Sequence, residues 1–531
     1  MALRPWSCSF QAGSAGGEPR STTRGARGST NNNDNNKHNK DKQIKQPKTT
    51  TKEVDVRGAQ ELSIASSQLQ KLVALGTKAS LDEVSDIFST EFCEWKRNPK
   101  RATVVLSCLA KQRLPHIARH VLTSMLVCRA DANVFHYNAV ISASGKGGQW
   151  QLALSLLSSM SEMRILPDRV SYNAAIAACE KAGQWQLALS LLSSMPDMSV
   201  CPNDISYNSA MSACEKGGQW QLALSLLHGM RSMRAIPDEI SYSAAISACE
   251  KVGEWQLALN LLSSMPDEKV VPDQICYNAA ISACEKGGQW QLALGLLSGM
   301  RSIVAVPDKI SYSAAISACE KVGEWQMALE LLSSMPDMRI IPDEICVNAA
   351  ISACEKAVEW ELALGLLSSM PEMRVIPDEI SYNAAISACE KGGKWQLALV
   401  LVTSMPHMRV IPDEITYNAA VSACEHGGQW QLALCLLSSM PDMRIVADEI
   451  SYNAAVSACS KVGQWRLALS LLSRMPDMRI LPDEITYNAV VGVCEKAGQL
   501  QLVLNLLNKM FSCTYSVLLR FRLCTGDFKR G

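Results

Sequence analysis

Tryptophan returns every 35 residues through most of this 531-residue chain, at positions 150, 185, 220, 255, 290, 325, 360, 395, 430 and 465, with Leu500 where the next is due. A fixed period of this length marks a chain built from copies of one small unit, and each copy is too small to bury its own apolar face. Starting each unit two residues before its Ser-Tyr, as at Glu379, gives eleven repeats: 134–168, 169–203, 204–238, 239–273, 274–308, 309–343, 344–378, 379–413, 414–448, 449–483 and 484–518. A weaker unit over 99–133 keeps the spacing of Ala118 and Met125, and a degenerate one is expected near 64–98.

Inside 379–413, Tyr382, Ala385, Ile386 and Cys389 recur at i, i+3, i+4 and i+7, which is one face of a first helix. Trp395, Ala398, Leu399 and Val402 repeat the pattern in a second helix. Gly392 and Gly393 break the chain between them, and Pro406 ends the second. The expected fold is therefore all-α: an α-solenoid superhelix of about eleven or twelve stacked helical hairpins. The tryptophan that opens each second helix is read as a packing residue between hairpins.

Composition narrows the functional classes. Lys+Arg and Asp+Glu both number 51, but residues 1–133 hold 21 against 12, residues 134–510 hold 26 against 38, and residues 511–531 hold 4 against 1. A basic front thus precedes an acidic body, residues 134–510, of net charge −12. Of the 20 cysteines, ten fall once per repeat at one helical position, from Cys179 to Cys494, as a small buried apolar residue would; this usage suits a reducing compartment. No CxxC pair suggests zinc, no apolar run is long enough to cross a membrane, and no cofactor is expected. The expected organisation is a disordered, Asn-rich basic segment over 1–60, a degenerate helical cap over 61–98, the array over 99–518 and a tail over 519–531. The first 33 residues carry four arginines against Glu18 alone, the bias of an organelle transit peptide; an untargeted tail is the alternative.

A 35-residue helical hairpin reading YNAAISACEKGG, then an Ala–Leu second helix and a Pro-Asp ending, resembles the pentatricopeptide repeat family over roughly residues 99–518. The resemblance implies a superhelix that binds single-stranded RNA in mitochondria or plastids, one base per repeat. In that family the fifth and last residues of a repeat choose the base, and a branched apolar second residue wedges between bases. Carried onto this sequence, Asn138 with Asp168, Asn208 with Asp238, Asn278 with Asp308, Asn348 with Asp378, Asn383 with Asp413, Asn418 with Asp448, and Asn453 with Asp483 resemble the uracil-preferring pair. Asn173 with Asn203 resembles the cytosine pair, and Ser243 with Asp273 and Ser313 with Asp343 the guanine pair. Thr103 with Asn133 would suggest adenine, while Asn488 with Leu518 departs from the pattern. The implied target is U-rich, (A)UCUGUGUUUU.

The wedge positions are Phe135, Val170, Ile205, Ile240, Ile275, Ile310, Ile345, Ile380, Ile415, Ile450 and Ile485; packing into the core is their alternative role. Asn383 is unfavourable in a helix interior unless its amide is used, by solvent or by a base. Asp413 stands where an N-cap is expected and could serve both purposes. Lys181, Lys216, Lys286 and Lys391 are candidates for phosphate contact or simply solvated charges beside a glutamate.

No paired-carboxylate, Ser/His/Asp, Cys/His or metal constellation stands apart from the repeats, so the chain is not expected to be an enzyme. Residues 511–531 are too few for an added catalytic domain, and any RNA processing would come from recruited proteins. The expectation is a monomeric RNA adaptor for organellar transcript processing, stability or translation, located in mitochondrion or plastid, with cytoplasm or nucleus as the alternative. The rival is a peptide-binding scaffold using the same face, which the negative array favours because phosphate neutralisation drives much nucleic-acid affinity. Residues 204–273 and 274–343 are a copied pair, so their two serines are one observation.

Overall fold

The computed structural model describes residues 81–88, 92–128, 130–233, 235–300 and 305–507, all inside the compact unit Ile64–Gly531. The expectations for residues 1–60, for Leu518 and for the tail 519–531 lie outside the described residues.

Among the described residues there are helices and turns but no strands. The unit 379–413 is representative: a first helix Glu379–Lys391 and a second helix Trp395–Ser404. Asp378 starts the first helix from extended backbone, its carboxylate accepting from the Ser381 N–H while the Ser381 hydroxyl accepts from the Asp378 N–H. This reciprocal box satisfies donors that a helix start leaves orphaned. At the other end Gly393 takes φ +67, and the Lys394 N–H reaches back to the Cys389 carbonyl at 2.8 Å, closing the helix. Pro406 follows the second helix within a short 3₁₀ turn, Met405–Met408, and Arg409 then takes φ 62 before the next N-cap.

The predicted faces are the buried ones. Ala385, Ile386, Cys389, Ala398 and Met405 are fully buried, and Tyr382 and Val402 nearly so. Complete burial of an isoleucine such as Ile386 contributes about 1.5–3 kcal/mol, so a dozen repeats build a long core from small increments. Each first helix packs on its own second helix and on the first helices before and after it, whereas second helices pack mainly on their own and the following first helix. Alanine on the first helices, such as Ala384 and Ala388, permits that close approach. The weaker unit 99–133 is also a hairpin, of Pro99–Lys111 and Pro115–Val127, preceded by Leu81–Phe88 and Phe92–Arg97.

The tryptophans are part-buried and pack between hairpins, as expected. Trp360 lies against Gly392 of the following repeat, where a Cβ would meet its Cδ1 at 2.6 Å. The two glycines thus do different work: the first leaves room for the indole, and the second supplies a positive φ.

Candidate functional site

Asn383 lies on the first helix of its repeat, and Asp413 caps the first helix of the next, so stacking alone brings them together. The Asn383 Nδ2 donates to Asp413 Oδ1 at 3.1 Å. The same carboxylate oxygen accepts from the Thr416 N–H at 2.8 Å, and the Thr416 hydroxyl lies 2.5 Å from Asn383 Oδ1. Asp413 is therefore both N-cap and partner of Asn383. Burial alone would raise its carboxyl pKa, but the bonds from Thr416 and Asn383 outweigh it and hold the group below the ordinary carboxylate value.

The arrangement recurs. Asn-to-Asp contacts join Asn138 to Asp168 at 3.0 Å, Asn208 to Asp238 at 2.9 Å, Asn278 to Asp308 at 3.1 Å and Asn348 to Asp378 at 3.0 Å. Asn418 meets Asp448, and Asn453 meets Asp483, each at 3.2 Å. Asn173 reaches Asn203 Oδ1 at 3.2 Å in the same way. The asparagines are not simply solvated: Asn138, Asn208, Asn278 and Asn348 are buried, and the rest are part-buried. In the Asn383–Asp413 pair, the second Nδ2 hydrogen and Asp413 Oδ2 carry no bond among the described residues. The outward edge thus offers one N–H donor beside one carboxylate acceptor.

The serine pairs differ. Ser243 turns its hydroxyl back to the Ile240 carbonyl at 3.0 Å instead of reaching Asp273. At the second, Asp343 forms an ion pair at 2.7 Å with Lys309, a residue that sequence reasoning passed over. Thr103 likewise bonds its own helix at the Pro99 carbonyl, while Asn133 caps the next helix in a box with His136. The third residue of most repeats was also missed: Ser171, Ser206, Ser241, Ser311, Ser381, Thr416, Ser451 and Thr486 each touch the preceding asparagine. The recurrence of Ser or Thr three residues after the last residue of most asparagine-bearing repeats was the available signal.

Of the two roles open to the second residues, core packing does not hold: Ile205 is 56% exposed, Ile380 61% and Phe135 67%. The lysines form a ladder along the stack. Three of the four candidates reach the glutamate one repeat earlier: Lys216 to Glu180 at 2.8 Å, Lys286 to Glu250 at 2.6 Å and Lys391 to Glu355 at 2.9 Å. Lys181 has Gly145 in the acid's place.

Stacked 35-residue helical hairpins with a polar pair repeated at most of their junctions define a helical-repeat protein. The matching sequence models give the family: "PPR repeat family" over 167–216, 377–426 and 447–496, "Pentatricopeptide repeat domain" over 130–182 and 225–286, and "PPR repeat" over 205–234, 275–303, 310–340, 415–445 and 485–515. Together they cover more than half of the chain, which belongs to the pentatricopeptide repeat family. The crystal structure of the pentatricopeptide repeat protein PPR10 from maize is similar in fold, with a TM-score of 0.54 and 21% identity over 83% of this chain and 70% of that one. PPR10 in complex with an 18-nt psaJ RNA element gives 0.44 and 19% over 86% and 79%, and yeast Rmd9p in complex with 16nt target RNA gives 0.36 and 9% over 79% and 95%. No curated protein sequence matches the chain.

Proposed function

We propose that this chain is a sequence-selective single-stranded RNA adaptor that reads one base per repeat on a U-rich organellar transcript, and that it acts in transcript processing, stability or translation through recruited proteins. The observation that carries this reading is the outward edge of the Asn383–Asp413 pair. Uracil presents an O4 acceptor beside an N3–H donor, the complement of the Asn Nδ2–H and the Asp Oδ2. Asn203 replaces that acceptor with a second N–H donor, and two donors complement the N3 and O2 of cytosine. Edge complementarity therefore supports the family's pairing from chemistry alone. The exposed second residues lie one turn away on the same helices, free to enter between bases. PPR10, whose fold is similar, is also known in complex with an 18-nt psaJ RNA element.

The charge balance sets the conditions. Residues 134–510 hold 26 cations against 38 anions, and the ladder lysines are already paired, so phosphate contact has to compete with Glu180, Glu250 and Glu355 for them. Base contacts then carry an unusual share of the affinity, and binding is strongest at low salt. The basic residues 1–133 are the remaining source of attraction and carry the proposed organelle address.

Fluorescence anisotropy of the full chain against UCUGUGUUUU and a scramble of the same composition, at low and physiological salt, tests the reading. The adaptor binds the first RNA more tightly; equal affinities, or no binding at low salt, would sink it. A reporter fused to residues 1–60 tests the address by its location.

A second reading, peptide binding, is favoured by a cleft of about 730 Å³ on the second-helix side. Leu329, Leu332, Ile341 and Leu366 line it, with Arg339 and Arg374 outnumbering Glu372 among its charged lining residues. An apolar, acidic peptide suits that cleft, and a peptide that binds there without displacing RNA would make the chain a scaffold as well.

A further inference from the structure

The recognition pair leaves one question open, because an asparagine amide has two ends. Rotating Asn383 by half a turn about its last bond would exchange Nδ2 and Oδ1, and the edge offered to a base would change from donor to acceptor. A donor–acceptor edge is useful only if something forbids that exchange. The Asp413 carboxylate favours Nδ2 on its side, but a single hydrogen bond at 3.1 Å leaves Oδ1 without a partner.

The partner is the third residue of the following repeat. Thr416 Oγ1 accepts from the Asp413 N–H at 3.2 Å, so its one hydrogen is free to be donated, and Asn383 Oδ1 at 2.5 Å is nearer than Asp413 Oδ1 at 2.8 Å. In the rotated amide, Oδ1 would face the carboxylate, two acceptors with no hydrogen between them. The hydroxyl and carboxylate together therefore admit one orientation only. The same contact stands at 2.6 Å between Ser171 and Asn138, Ser206 and Asn173, and Ser381 and Asn348.

The exceptions follow the same logic. Cys276 and Cys346 occupy the third position of their repeats, and the preceding fifth residues are Ser243 and Ser313 rather than asparagine. His136 occupies it once, and there the preceding fifth residue is Thr103. Where no amide needs orienting, no hydroxyl is supplied. A helix cap alone does not account for this, because Asp273 and Asp343 accept from the Cys276 and Cys346 N–H groups at 2.9 and 3.0 Å without any hydroxyl.

We propose that the Ser or Thr hydroxyl at the third position of the following repeat is a positioning residue that fixes the amide of the base-reading asparagine, so that each base is read by three residues spread over two repeats. This rests on the adaptor reading above.

The experiment measures, for the full chain, the affinity for UCUGUGUUUU and for the same RNA with C in place of the eighth base, which faces residues 379–413. Thr416→Val removes the hydroxyl at constant shape, Thr416→Ser restores it, and Asn383→Ser tests the reading itself. The U-over-C ratio is expected to fall about tenfold in Thr416→Val and to stay at the parent value in Thr416→Ser, with an unchanged salt dependence. A ratio unmoved by Thr416→Val, while Asn383→Ser shifts the preference, would leave the hydroxyl a cap and overturn the proposal alone. A preference indifferent to Asn383→Ser would overturn base reading and the proposal with it. Should Thr416→Val not fold, Thr416→Cys takes its place, a residue this chain already accommodates at Cys276 and Cys346, with the same expected loss and the same refuting result.

Discussion

His426 Nδ1 stands 4.0 Å from Glu390 Oε1, at the rung of the inter-repeat ladder whose neighbours, Lys391–Glu355 and Lys461–Glu425, close at 2.9 and 3.1 Å. Burial pushes the Glu390 carboxyl up to about 7; Lys391 opposes the shift, and Glu355 and Glu425 add to it. A carboxyl raised in the folded state contributes stability that is complete below its unfolded value of about 4.3 and is lost as pH rises through its folded value. The repeats around Glu390 should therefore weaken between about pH 4.5 and about pH 7. His426→Lys puts a permanent cation on the rung, lowers the Glu390 pKa and flattens that slope, adding about 0.5–1 kcal/mol at pH 8. Urea unfolding at mildly acidic and mildly alkaline pH measures this; the same slope in both proteins would show that the rung is inert.

Asp413→Asn copies what the chain already does at Asn203, which accepts the Ser206 N–H and the Asn173 amide with the same atom. The variant should fold with a stability change within about 1 kcal/mol. Its outward acceptor becomes a donor, and preference at the eighth base should move from U toward C by about 1–3 kcal/mol. Competition binding with the two RNAs reads this directly, and a preference that stays on U would detach Asp413 from base choice.

Val358 holds φ 65, in the place where other repeats carry a glycine such as Gly393. A β-branched residue in the left-handed region is strained by about 1–2 kcal/mol. Val358→Gly should relieve most of it and raise stability by about 1 kcal/mol, since the side chain is 45% exposed and little packing is lost. A melting temperature that fell would place the value of Val358 in packing instead.

Burial pushes the thiols of Cys214, Cys284 and Cys389 up to about 11, so scarcely any thiolate exists near neutral pH. Cys201 and Cys435 are exposed. Native protein treated with a thiol reagent at about pH 8 should label Cys201 and Cys435 quickly and the recurring helical cysteines only on denaturation. Peptide mapping separates the groups, and rapid native labelling of Cys389 would contradict the packing described.

The repeat unit was legible because its signals are local. Tryptophan spacing, the i, i+3, i+4, i+7 face through Cys389 and the glycine break after Lys391 each reflect one hairpin, and hairpins of this kind can only stack. The fifth and last residues were found through family resemblance, and the structure adds why they meet. The serine pairs were less legible: nothing in the sequence says that Ser243 turns back onto its own helix, or that Lys309 reaches Asp343.

The sequence by itself determined the period, the helical faces and the identity of the polar residues, because backbone geometry and burial act within one repeat. Only the tertiary structure decided what those residues do for one another. Asn383, Asp413 and Thr416 belong to two repeats, and their bonds exist because stacking fixes the offset between neighbouring first helices. The same offset carries Lys391 to Glu355 and turns a row of apparently solvated lysines into a ladder. Both are contacts between copies, and a periodic sequence is silent on the register in which its copies pack.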